Sequence, residues 1–145
     1  MVEKIFHDAK LQAIILRTDF QREGIEFFTP DDFSQQLAYM KRPTGYQIQP
    51  HVHNPVVREV MFTKEVLIIK SGIVQVDFYT DEKQYYKSAL LNAGDVILLA
   101  YGGHGFEILQ EAEIIEVKQG PYAGEVDKTR FERPSDQHSI FETQK

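Results

Sequence analysis

Punctuation constrains this chain more than any other feature of its sequence. Short apolar runs rich in β-branched residues recur at intervals of about ten, each bounded by Gly, Pro, Asn or Asp, and almost no segment repeats with the 3.6-residue period of a helix. Such spacing predicts an all-β domain, a sandwich or barrel of the jelly-roll kind with little helix.

Taken in order, Lys4–Phe6 and Leu11–Thr18 flank a turn and predict an opening hairpin. Gly24–Phe28 precedes Thr29-Pro-Asp-Asp, where a hydroxyl cap, a proline and two acids predict one short helical turn. Gln35–Lys41 reads as a strand, and Gln47–His53 as an extended segment with Gln47, Gln49, His51 and His53 on one face. Residues 54–64 read as an insertion-like connection. Glu65–Gly72 and Ile73–Thr80 are expected to form a strand pair joined at Lys-Ser-Gly. Tyr85–Leu91 returns, Val96–Ala100 reads as a strand buried on both faces, and His104–Leu109 and Glu113–Gln119 complete the set. Residues 1–34 are assigned to strands and a turn packing on a barrel of residues 35–119. Residues 120–145 form a tail that reads, from Glu132 on, as poorly ordered or draped over a neighbour.

The 145 residues suit one domain with its own core. No stretch approaches eighteen uninterrupted apolar residues and the N-terminus lacks the order of a signal peptide, so a cytoplasmic protein without a membrane segment is expected. A formal charge of −6 without a Lys/Arg cluster argues against nucleic acid as a partner. The chain has no cysteine, so any metal must be held by nitrogen and oxygen.

That restriction directs attention to the histidines. His51 and His53, one residue apart on an extended segment, point to the same side. Glu65 opens the next apolar run and His104 the last long one, so a closed sheet offers three imidazoles and one carboxylate to a single ion. Such a set suits Mn, Fe, Ni, Cu or Zn better than Mg or Ca and leaves coordination positions open for water or a ligand. Gln47, Gln49, Arg58, Gln119 and Tyr46 are the residues expected to contact a polar small molecule. Tyr46, Tyr101 and Tyr122 are expected at a pocket mouth, Phe106 is expected in core packing rather than there, and Asp127–Arg130 reads as a solvated charge run.

In these motifs the chain resembles a small single-domain cupin. Gly45, five residues, then His51-Val-His53 follow the family's first motif, as do Glu65, six residues, then Gly72. Eleven residues separate His53 from Glu65 where the family has three or four. Five residues separate Glu59 from His53, and Glu65 is preferred for its spacing to Gly72. Gly94-Asp-Val-Ile-Leu-Leu starts the second motif; Ala100 replaces its Pro, Gly102 matches, and Ile108 stands where the family has Asn. The resemblance implies a double-stranded β-helix, or jelly-roll barrel, often paired as a homodimer. It also implies one divalent transition metal held by His51, His53, Glu65 and His104.

Three functions are compatible with such a site. The first is a metal-dependent isomerase, lyase or oxygenase acting on a sugar, sugar acid or hydroxy/oxo acid. The second is a non-catalytic module that binds or senses such a molecule, and the third a metal-free nucleotide-sugar epimerase with a His base and a Tyr acid.

Overall fold

A computed structural model of the protein describes residues 1–134. Its organising element is β5 (Glu65–Tyr79), where Val66, Leu67, Ile68, Ile69, Ile73, Val74 and Val76 supply the branched side chains that favour extended backbone. On one side the first half of β5 pairs antiparallel with β7 (Val96–Leu99) and its second half with β6 (Tyr85–Asn92). On the other side the whole of β5 pairs with β8 (Gly103–Lys118). β7 continues the sheet to β2 (Lys10–Leu16) and β1 (Val2–His7), giving six strands; β3 (Gly24–Phe27) and β4 (Ala38–Lys41) form a separate hairpin.

The sequence reading placed two strands and a turn at 65–80, and two strands across 104–119. Each is one continuous strand instead. Lys70-Ser-Gly72 bends β5 without reversing it: Gly72 has φ +84°, and three register shifts in the β5–β8 ladder cluster between Ile69 and Val74. Irregularities of this kind kink a sheet and increase its twist. Here they have a measurable result. His104 is paired with Phe78, thirteen residues beyond Glu65, which is about 43 Å along a straight strand. Yet the Glu65 and His104 side chains are 3.1 Å apart. β5 and β8 therefore curl strongly, and the sheet is a curled half-barrel.

The concave face of that sheet holds the core: Ile5, Ala13, Ile15, Leu67, Ile69, Val74, Val76, Phe78, Leu91, Ile97 and Leu99. On the convex side Leu11, Ile14, Leu98 and Ala100 meet Phe28 and Phe33, with Phe20, Leu37 and Tyr39 packed around them. Thus β2 and β7 are buried on both faces, as the unbroken apolar run Val96–Ala100 predicts. Asp95, 2% exposed, ties these strands together by accepting hydrogen bonds from Thr18 N, Asn92 N and Arg17 Nη1 at 2.9, 2.9 and 2.8 Å.

Thr29-Pro-Asp-Asp makes one turn, closed by Phe33 N donating to Pro30 O at 3.1 Å, and no helix follows. The Thr29 hydroxyl accepts from Leu37 N across the loop, so it serves the β3–β4 connection rather than a helix end. A larger departure lies between residues 42 and 62. The segment expected to enter the sheet at Gln47–His53 joins no strand and is exposed along its whole length. Its inward-facing set would have been two amides and two imidazoles, which bring little apolar surface to a ladder. In the tail, a short 3-10 turn (Gly124–Asp127) leads to Phe131, packed edge-on against Tyr79 at 5.0 Å, and to Arg133, which reaches Asp77 and Glu107 at 3.5 and 2.8 Å. The part of the tail beyond residue 134 lies outside the described residues. Among the described residues no helix is long and apolar enough to cross a membrane.

Candidate functional site

Where the two ends of the curl approach each other, a cleft of about 560 Å³ opens at the sheet edge. Glu65 and His104 line it together with Tyr101, Phe106, Asp127 and Phe131. Glu65 is the first residue of β5, opposite Lys118 of β8, and His104 is near the start of β8, so one strand pair supplies both from its opposite ends. His104 Nε2 lies 3.1 Å from Glu65 Oε2, and the side chains are 29% and 14% exposed.

The electrostatics of this corner favour an ionised Glu65. The hydrogen bond from His104 holds its carboxyl below the usual carboxylate range; burial opposes this, and the nearby charges of His104 and Lys118 add to it. Lys118 Nζ sits between two carboxylates, 3.6 Å from Glu65 and 3.3 Å from Asp127. Its pKa is raised, chiefly by the bond to Asp127. Asp127 also accepts a short hydrogen bond from the Thr63 hydroxyl, the main cause of its lowered pKa. The result is a row of alternating nitrogen donors and carboxylates: His104, Glu65, Lys118, Asp127. Beside it, Lys64 is 5% exposed with its ammonium 4.9 Å from the Phe33 ring and 4.7 Å from the Tyr101 ring, and burial lowers its pKa.

Two of the four expected metal ligands therefore converge and two do not. His51 and His53 sit on the exposed 42–62 segment, where their rings are 5.2 Å apart and His51 Nδ1 is 3.0 Å from Gln49 O. Their mutual approach is what the period-2 argument predicts, but the segment keeps them away from Glu65 and His104. Among the described residues no three His, Asp or Glu side chains converge as a metal-binding group. The Glu65–His104 half fits an ion: two bonds of about 2.1 Å at a right angle place their donor atoms about 3 Å apart. The complete donor set does not fit in this arrangement of the chain. Glu59 is on the same exposed segment and offers no substitute.

Of the residues expected to contact a small molecule, Tyr46, Gln47, Gln49 and Arg58 are likewise exposed on 42–62, with Tyr46 stacked under the Arg42 guanidinium at 4.7 Å. Gln119 follows Lys118 and lines not this cleft but a smaller hollow shared with Tyr122. Its backbone N–H donates to Lys64 O at 2.9 Å, and its side-chain oxygen is buried with no hydrogen-bond partner among the described residues. Tyr101 lines the cleft; Phe106, expected in core packing, lines it too and is 39% exposed, whereas Tyr122 is 91% exposed away from it. Sequence reasoning missed Lys118 and Asp127. Asp127 looked like part of a solvated charge run, and no local spacing connects it to Glu65; a β8 that ends on a lysine beside a Thr63–Asp127 contact is a product of the fold alone.

Comparison with family models, curated proteins and solved structures found no match to this chain.

Proposed function

We propose that the chain is a cupin-like protein that binds one divalent transition metal and works on, or holds, a small polar molecule in the cleft at Glu65 and His104. The observation that supports it is the pairing of a lowered-pKa carboxylate with an imidazole, 3.1 Å apart, in a partly enclosed cleft lined by aromatic and charged groups. Glu65 and His104 would be the fixed ligands and His51 and His53 those brought in by the exposed segment. Bound there, such an ion supplies Lewis acidity toward a carbonyl or hydroxyl oxygen. Lys118 positions Glu65, Phe106 and Tyr101 form apolar walls, and Asp127 carries the acidic end of the cleft.

A second reading follows from the same pair. A carboxylate bonded to an imidazole orients it as a general base without any metal. The non-catalytic alternative differs from both in leaving a bound molecule chemically unchanged after long incubation.

Elemental analysis of protein purified without nickel chromatography, followed by calorimetric titration with Mn, Fe(II), Ni, Cu and Zn salts, tests the proposal. One ion per chain is expected, weakened at least about 100-fold in His104→Ala. Equal affinity in wild type and His104→Ala would refute the metal site, and activity unaffected by EDTA would favour the metal-free base.

A further inference from the structure

β8 is sixteen residues long and, among the described strands, pairs on one side only. Unpaired edges of that length are templates for another strand, and proteins ordinarily shield them. Among the described residues the tail approaches β8 at Gly103, Glu107 and Lys118, through Phe131, Arg133 and Asp127, and the stretch between is largely exposed and partly apolar. Phe106, Ile108 and Ile114 lie opposite Val76, Val74 and Ile69, which places them on the concave face with the core, yet they are 39%, 52% and 36% exposed. The half-barrel lacks a wall at this position.

The same chain carries a strand's worth of unused backbone. Residues 42–62 leave the β3–β4 hairpin after Lys41 and rejoin the sheet at Glu65, and every one of them is exposed, including Ile48, Val52, Val56, Val57, Met61 and Phe62. Their charges complement the edge. The segment has two arginines against one glutamate, while β8 has four glutamates against one lysine. Within one chain the segment pairs with no described strand, and Phe62 at its end packs on Tyr101.

We infer that residues 42–62 of one copy add as a strand along the free edge of β8 in a second copy, reciprocally, so that a two-fold dimer closes both half-barrels. Added there, the segment carries the partner's His51 and the partner's His53 toward Glu65 and His104, and the site is complete only in the dimer. The ligand part rests on the metal site proposed above; the strand exchange does not.

Two measurements separate these parts. The chain has no cysteine, so single substitutions report cleanly. Gln49→Cys, on the same face as His51 and His53, in one tagged copy is mixed with Phe106→Cys, Ile108→Cys or Ile114→Cys in a differently tagged copy, with Phe6→Cys on β1 as control, and oxidised. Selective disulfides between the two copies at β8, together with sedimentation at twice 16.8 kDa, are the expected result. A monomer, or cross-linking no greater at β8 than at residue 6, overturns the exchange. For the site, His51→Ala/His53→Ala chains are paired with Glu65→Gln/His104→Ala chains and the doubly tagged heterodimer is titrated with Zn and Mn. One ion per heterodimer, with none bound by either parent, is expected. Exchange without any ion bound by wild type refutes the metal reading alone, and an ion bound by wild type but not by the heterodimer refutes the shared site.

Discussion

Gly72→Ala is the sharpest probe of the curl that brings Glu65 to His104. An alanine at φ +84° loses about 1–2 kcal/mol relative to glycine for its left-handed backbone. Space makes matters worse. A Cβ at residue 72 would lie 2.2 Å from Glu111 O and 2.7 Å from Ala112 Cα, both on the facing strand, so backbone rather than a flexible side chain has to move. Overpacking of that kind adds about 1–3 kcal/mol. The expected loss is about 2–5 kcal/mol, and with a urea dependence of about 2 kcal/mol per molar the denaturation midpoint falls by about 1–2.5 M. Gly45→Ala is the control. It has the same φ of +84° but no atom within 4 Å of its Cβ, and it lies on the exposed segment, so at most the backbone cost applies and the midpoint is expected to fall by no more than about 0.5–1 M. Equal effects of the two substitutions, or a Gly72→Ala midpoint within about 0.3 M of wild type, would refute the argument that close strand approach at Gly72 sets the curl.

Two further outcomes follow. Asp95→Ala removes the acceptor for two backbone N–H groups and one Arg17 nitrogen, leaving Arg17 with Glu3 and Leu90 O; a loss of about 3–5 kcal/mol in urea denaturation is expected, and less than about 1 kcal/mol would show that the Asp95 network is not what joins β2 to β7. Glu65 has a depressed pKa in the folded chain, so its stabilising contribution is complete above the unfolded value of 4.5 and is lost as pH falls through the lower folded one. Stability measured from pH 6 to pH 3 should therefore fall less steeply in Glu65→Gln than in wild type, and parallel curves would contradict the assigned His104 bond.

Strand content, the doubly buried Val96–Ala100 run and the facing of His51 and His53 were legible in the sequence, because alternation and branching act over a few residues and need no distant partner. Lys70-Ser-Gly72 shows the limit of such reasoning. A hairpin turn and a bend within one long strand ask for the same glycine at positive φ, and only the continuous partner β8 decides between them. The same limit explains the site. The curl of β5 and β8 makes Glu65 a neighbour of His104, and the returning tail makes Lys118 a neighbour of Asp127; both depend on where a sheet closes, which is a property of all its strands together. Local pattern therefore determined most of the strands, while the tertiary structure alone decided that Gln47–His53 stays outside the sheet and which faces meet, because contacts between distant residues are set by sheet curvature rather than by spacing along the chain.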